Sequence, residues 1–354
     1  MELNPFHNGH KYFLEQVKKK NPHSLIIALI STTVVQRGEI SVLAKKIKTK
    51  LILDYVDLVI EMPLIYVNQG GEYFGYYAIK ILNDLKVDKI IFGSESKDLV
   101  KLSIVAAKKN TKKQFKIGYL KEQVNELKAN DILGISYLKA INKINPKLQV
   151  ALIKRLTNTE KDVNFMLELS SATALRKNYV HYSKEKMLRF LPEVAYENMH
   201  MFAEQNLLNL VKINLLNIQE ETIFLSEQGQ LIKKIKKNVN NTQVNSLSDL
   251  AKLCSDKNNS QYKFQRIFIN IILNITTDFI EANKRQSNKY KVLGFKTVAQ
   301  QYLKANKNKL FFSYKEIEIE NSVYKYNEKI DKLLTIYSSQ DLNIINYQKP
   351  IIKK

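Results

Sequence analysis

The chain has 354 residues, with 56 lysines and arginines against 34 acids, a formal charge of +22 and a single cysteine, Cys254. That length predicts two domains, and one thiol excludes an internal disulfide framework and fits a reducing, cytoplasmic setting with no signal-like leader before the first motif. No apolar run approaches the roughly eighteen residues of a membrane span, so no membrane partner is expected; the basic surplus suits a polyanion, although Lys, Asn and Ile are abundant throughout and compositional drift would give the same charge.

In chain order, the segment Asn4-Pro5-Phe6-His7-Asn8-Gly9-His10 precedes a helical pattern over 10–20. Short apolar runs then recur at 25–30, 56–60, 89–92 and 150–153, which read as strands buried on both faces. Helix-like stretches at 41–55, 73–85 and 132–144 alternate with them. Strand and helix in alternation predict a Rossmann-like parallel α/β sheet with right-handed crossovers over 1–180. Beyond about Arg176, long Leu, Ile, Lys and Asn-rich segments with few glycines, such as 187–211 and 264–283, predict a mostly α-helical second domain over 181–354. The polar, Asn-rich stretch 233–245 reads as a loop.

Only six of the basic residues are arginine, at 37, 155, 176, 189, 266 and 285. In a chain that otherwise uses lysine, those positions are candidates for the planar two-pronged grip that guanidinium offers a phosphate. Arg37 follows the first strand, Arg155 ends the fourth, and Arg176 lies one turn beyond Ser171 and Thr173, so three of them are expected at the crevice where open α/β sheets bind ligands. Ser170, Ser171 and Thr173 either cap a helix or hydrogen-bond phosphate oxygens.

Two imidazoles three residues apart, flanking Asn8-Gly9 at a helix entrance, can donate hydrogen bonds to charge developing on an α-phosphate. Gly9 would let a phosphate approach the backbone, where free N–H groups and the helix dipole favour an anion. The plain alternative is that His7 and His10 cap a helix. His7-Asn8-Gly9-His10 resembles the HxGH signature of class I nucleotidyltransferases. The longer string Glu2 to His10, followed in order by Gln36-Arg37-Gly38-Glu39, Asp57 to Pro63, Gln69 to Phe74, Phe92-Gly93-Ser94-Glu95, Asn130 to Gly134, Lys154-Arg155-Leu156 and Ser170 to Arg176, is similar to the bacterial tRNA(Met) cytidine acetate ligase family. Gln265-Arg266 and Val292 to Phe295 are its C-terminal echoes.

The resemblance implies an enzyme that joins acetate to AMP from ATP and transfers the acetyl group to N4 of the wobble cytidine of elongator tRNA(Met). It implies His7 and His10 as catalytic residues. Asn4, Pro5, Phe6, Asn8, Gly9, Gly93, Asn130, Arg155, Leu156, Ser171, Thr173 and Arg176 would then surround ATP, while Arg37, Lys45 and the helical domain would hold RNA. With no acidic cluster to cage a metal, Mg2+ is expected to arrive with ATP. Cys254 reads as a core residue.

The chain departs from the family at Thr32, where Gly is usual, at Phe13, where a third His is common, and after Leu156, where a His-Asp pair is absent. The family's strand of about seven residues ahead of the motif glutamate is also missing, so the sheet is expected to lack it or to draw it from upstream residues. Two other functions share parts of this pattern: a small-molecule nucleotide adenylyltransferase of coenzyme biosynthesis, and a tRNA-binding homologue with impaired catalysis.

Overall fold

The computed structural model describes residues 1–107, 127–156, 169–200, 204–217, 229–284, 289–337 and 349–354. Arg285 and the segment just after Leu156, where the family's His-Asp pair would stand, lie outside the described residues.

The first half runs α1 (Asn8–Lys20), β1 (Ile27–Ile30), α2 (Lys45–Ile52), β2 (Leu58–Glu61), α3 (Leu64–Val67), α4 (Gly71–Asp84), β3 (Lys89–Ser94), α5 (Leu99–Ala107), α6 (Ala129–Ile144) and β4 (Gln149–Lys154). The apolar runs form the expected strands because their side chains are enclosed from both sides: every residue of β2 is buried, as are three of four in β1. β1 pairs parallel with β2, and β3 pairs parallel with β4. Among the described residues these form two separate sheets. Around β3 and β4, α4 packs along α6 over a core that includes Ile79, Phe92, Leu102, Ile135 and Ile141.

The second half is helix-rich: α7 (Ala172–Asn178), α8 (Lys184–Leu188), α9 (Glu193–Glu197), α10 (Glu204–Asn217), α11 (Gly229–Asn238), α12 (Leu247–Cys254), α13 (Gln261–Leu273) and α14 (Thr277–Lys284) precede β5 (Tyr290–Lys296), α15 (Gln300–Ala305), β6 (Leu310–Phe311), α16 (Lys325–Tyr337) and β7 (Ile351–Lys353). The long segments are broken into short helices. Within 264–283 the break is Asn274, left-handed at φ 51° at the end of α13; Pro192 stands at the start of α9.

The mostly helical C-terminal half also holds strands: β5, which contains the Val292–Phe295 echo, runs antiparallel to β2 and parallel to β6 and β7. The sheet therefore draws strands from both halves of the chain. One expectation is overturned: 233–245 is not a loop throughout. α11 extends to Asn238, with Leu231, Ile232 and Ile235 buried on one face, and Val239 and Val244 also enter the core. The many lysines and asparagines mask an apolar stripe at helical spacing, which decides the matter. Cys254 is buried beside Leu250 and Ala251, and that surrounding raises its thiol to about 11.

A separate apolar cluster joins the opening motif to the following region: Leu3, Phe6 and Leu14 pack with Ile30, Leu43 and Ile52 and with Leu175, Met187 and Leu191. This docking holds the segment after β4 against α1.

Candidate active site

The opening motif is a helix cap built from two imidazoles. His7 is the N-cap of α1, and its Nδ1 accepts the Gly9 N–H at 3.0 Å. His10 reciprocates, its Nδ1 accepting the His7 N–H at 3.3 Å. The rings lie 4.0 Å apart centre to centre, and Phe6 stacks with His10 at 5.9 Å and with Tyr55 at 6.1 Å.

This geometry fixes the proton. A ring nitrogen that accepts from a backbone N–H carries no hydrogen, so each neutral imidazole holds its proton on Nε2, as a donor. Burial, and then the nearby Arg155 guanidinium, lowers the His7 pKa to about 3; burial, His7 and Arg155 push His10 well below its ordinary value. The site thus presents two uncharged N–H donors beside a permanent cation. Capping and chemistry are compatible here, because they use different nitrogens.

The amides of the first turn are not open to a phosphate. The Asn8 N–H donates to the Phe190 carbonyl at 2.8 Å, the Gly9 N–H is held by His7, and the His10 N–H donates to His7 O. Gly9 has a different reason to lack a side chain: a Cβ would lie 2.8 Å from Cε1 of His7. Asn8 is also structural in part, its side-chain amide donating to Arg189 O at 2.8 Å. Asn4 is buried behind a cis Asn4–Pro5 peptide, with Oδ1 accepting from Val42 N–H, and its Nδ2 has no hydrogen-bond partner among the described residues.

Gly93, on β3, lies against Arg155, whose Cγ would be 3.1 Å from an added Cβ. The Arg155 N–H donates to Ser94 O, so the ends of β3 and β4 stay paired. Asn130, at the start of α6, donates from Nδ2 to Glu95 Oε1 at 2.5 Å, and Arg155 Nε is 3.6 Å from the same oxygen. Gly93, Asn130 and Arg155 thus meet, and the charge of Arg155 reaches both histidines. Leu156 follows at the edge of the described residues. The loop after β3 is held by buried Asp131, which accepts from Ser94 Oγ at 2.5 Å and from the Glu95 and Ser96 amides. Glu95 and Asp131 carry no role in the sequence reading; the acid in Phe92-Gly93-Ser94-Glu95 was the available signal.

Arg176 reaches back to the motif, donating from Nη1 to Asn4 O at 2.5 Å and from Nη2 to Glu39 Oε2 at 2.6 Å. It clamps the opening segment to the loop after β1. Ser171 caps α7, its Oγ accepting from Ala174 N–H, and Thr173 lies partly buried on the first turn. Arg37, on the loop after β1, stacks over Tyr262 at 4.8 Å. The loop is seated by Gly38, whose φ of 77° favours glycine and where a Cβ would stand 2.4 Å from the Arg266 nitrogen.

Lys45 is where the structure departs from the sequence reading. Its side chain is fully buried, ion-paired with Glu61 at 3.1 Å and with Asp331. Burial alone would lower its pKa, but the two carboxylates outweigh it and raise the value. An ammonium so placed is not available to RNA. Lys48, unremarked in the sequence, is also fully buried, and donates to the carbonyls of Glu2, Ser31 and Thr32 at 2.7, 3.1 and 2.6 Å. It ties the opening segment to the loop after β1, and burial lowers its pKa to about 7.

Among the described residues no group of three or more His, Cys, Asp or Glu is placed to hold a metal ion, and no helix is long and apolar enough to cross a membrane.

Comparison with known proteins gives the family of the chain. Residues 1–349 match the HIGH Nucleotidyl Transferase family. The chain is 33% identical to the tRNA(Met) cytidine acetate ligase of Fusobacterium nucleatum, covering 100% of this chain and 98% of that protein. It is 30% identical to the Clostridium perfringens protein of the same name, covering 99% and 95%. The crystal structure of Thermotoga maritima TmcAL bound with alpha-thio ATP superposes with a TM-score of 0.82 at 21% identity, covering 100% of this chain and 98% of that one; the likeness is one of fold.

Proposed function

The chain belongs to the HIGH Nucleotidyl Transferase family and to its tRNA(Met) cytidine acetate ligases, and from that premise we propose that it activates acetate with ATP and acetylates N4 of the wobble cytidine of elongator tRNA(Met), giving N4-acetylcytidine. Full-length similarity to proteins of that name supports the substrates. The observation that carries the chemistry is the pair of neutral imidazoles whose Nδ1 atoms are occupied and whose Nε2–H groups remain donors beside Arg155.

In the first step a carboxylate oxygen of acetate attacks the α-phosphorus of ATP, the bond to the β-phosphate oxygen breaks, and pyrophosphate departs. Negative charge gathers on the phosphate oxygens during this displacement. Donors already aimed at it, which need not reorganise, lower the barrier. His7 and His10 supply such donors without exchanging a proton with solvent at neutral pH, and Arg155 supplies fixed positive charge. Mg2+ would come with the triphosphate. In the second step the exocyclic amine of cytidine attacks the acetyl carbonyl, AMP leaves, and the nitrogen loses its extra proton. No protein nucleophile is needed, consistent with the buried Cys254.

In this reading the nucleotide chemistry resides in 1–180, with Gly93, Asn130 and Arg155 around the adenosine and α-phosphate and Arg176 holding the motif in place. The helix-rich 181–354 segment, together with Arg37 at the loop edge, meets RNA in a reducing, cytoplasmic setting. Exposed Lys233, Lys236 and Lys237 on α11 support a phosphate-binding face.

The test is ATP–pyrophosphate exchange by the purified chain with Mg2+ and acetate, with formate, propionate and no acid as controls. Exchange that requires acetate is the expected outcome. Exchange that requires a small phosphorylated acceptor instead of a carboxylate would point to the small-molecule adenylyltransferase, and tRNA binding with no exchange for any acid to a homologue without catalysis.

A further inference from the structure

The two residues expected to contact ATP from α6 and β4 share one carboxylate. Glu95 Oε1 accepts from Asn130 Nδ2 at 2.5 Å and stands 3.6 Å from Arg155 Nε, while Oε2 accepts the Asp131 N–H at 3.2 Å. The Glu95 side chain is 13% exposed and that of Arg155 44% exposed, so the acid lies beneath and the guanidinium faces outward. Glu95 is itself fixed, because its own N–H donates to Asp131 Oδ1 at 3.1 Å. Two acids, each accepting from the other's backbone N–H, thus cross-brace the loop after β3 to the start of α6.

We propose that Glu95 is the positioning residue of the nucleotide site, setting the direction of the Arg155 guanidinium toward ATP, with Asn130 Nδ2 anchoring the same carboxylate. The reasoning rests on the function proposed above. A guanidinium grips phosphate or adenosine acceptors through a rigid fork, and the grip depends on which way the plane faces. Pairing Glu95 at Nε engages the inner nitrogen and leaves the two terminal amino groups for the ligand. The charge of Arg155 is felt by both His7 and His10, so the fork is carried on the side of the paired imidazoles. A carboxylate that served only to close the loop would need no contact with Arg155.

The measurement is a double-mutant cycle in ATP affinity, read by calorimetric titration of ATP into the full chain, which requires no knowledge of the carboxylate or the tRNA. Glu95→Gln is expected to weaken ATP binding by about tenfold, and Arg155→Met by a similar factor. In the Arg155→Met background, Glu95→Gln should cost less than about twofold more. Equal losses in both backgrounds, or unchanged affinity in Glu95→Gln, would overturn the assignment. If thermal unfolding shows Glu95→Gln to be misfolded, Glu95→Asp serves: it keeps the charge but shortens the reach, and it should lose affinity only where Arg155 is present. Failure of the unaltered chain to bind ATP would instead overturn the nucleotide reading, and this assignment with it.

Discussion

Lys45 on α2 and Asp331 on α16 form an ion pair inside the protein with both side chains fully buried. Thr33 donates to the same carboxylate at 2.5 Å, and Glu61 and Tyr314 complete the surround of the ammonium. Burial raises the Asp331 pKa to about 6 despite the neighbouring Lys45, whereas Lys45 holds Glu61 below the ordinary carboxylate value in spite of burial. Breaking a buried pair by removing one partner leaves an uncompensated charge and costs about 3–5 kcal/mol. Lys45→Met, which leaves the buried Asp331 and Glu61 carboxylates without the ammonium they share, is therefore expected to lower Tm by roughly 5–10 °C. Calorimetry checks this; a variant as stable as the parent would show that the pair contributes little.

Because Lys45 is enclosed, Lys45→Gln should change stability and leave the salt dependence of RNA binding alone. The lysines that should alter it are Lys233, Lys236 and Lys237, exposed on the outer face of α11. Each phosphate that is no longer neutralised reduces the slope of log K against log salt by about 0.7–0.9, so replacing all three with glutamine should flatten it by up to about 2–3. Filter binding of tRNA between low and moderate salt reads the slope directly.

In the proposed mechanism His10→Ala removes one donor from the reacting phosphate, while the cap at His7 can still hold Gly9. The exchange rate should fall by roughly 10²- to 10³-fold, with a fall in stability of about 1 kcal/mol for the lost half of the capping box. An undiminished rate would remove His10 from the mechanism.

Gly9→Ala separates two explanations of the glycine. Alanine is favoured over glycine in a helix by about 0.5–1 kcal/mol, so overall stability should change little. The added Cβ, however, would sit 2.8 Å from the His7 ring and force it to turn. Exchange activity should drop about tenfold or more while the unfolding transition stays near that of the parent. Retention of full activity would show that the His7 orientation seen here is not needed.

The histidine pair also sets a pH dependence. The folded pKa of His7, about 3, lies below the unfolded value of 6.5, so between these values the unfolded chain binds the proton more tightly. The stabilising contribution is complete above about pH 6.5 and is lost as pH falls toward 3. A tenfold difference in proton affinity between the two states is worth about 1.4 kcal/mol, so acid should remove a few kcal/mol. Denaturant unfolding at pH 7 and pH 5 should show the loss, and His7→Gln should reduce it. Exchange by the parent should meanwhile show no histidine break between pH 6 and 8; a limb near 6.5 that His10→Ala abolishes would mean the pair titrates during turnover.

Much of the nucleotide half was readable along the chain because its signals are local. The buried strands announce themselves as apolar runs, Ser171 caps α7 as its residue type favours, and the order of short motifs leads to Gly93, Asn130 and Arg155, which the fold does bring together. Glu95 was visible but without a role, since nothing in a string of residues says that one carboxylate will serve two partners on different elements. Lys233 to Asn245 misled because polar composition outweighed an apolar stripe of only three residues.

The linear order of residue types was enough to identify the parallel α/β framework and the imidazole pair, since both follow from periodicity and from neighbours within a few positions. It was not enough for Lys45, whose type and place beside a conspicuous loop fit a surface role equally well, nor for β5, which leaves the helix-rich half to pair with β2. Burial and strand pairing depend on segments hundreds of residues apart meeting in space: the enclosure of Lys45 needs Asp331, and the edge that β5 occupies exists only once β2 has folded. Those outcomes belong to the tertiary structure, where the cost of desolvating a charge is set by the partners that packing supplies.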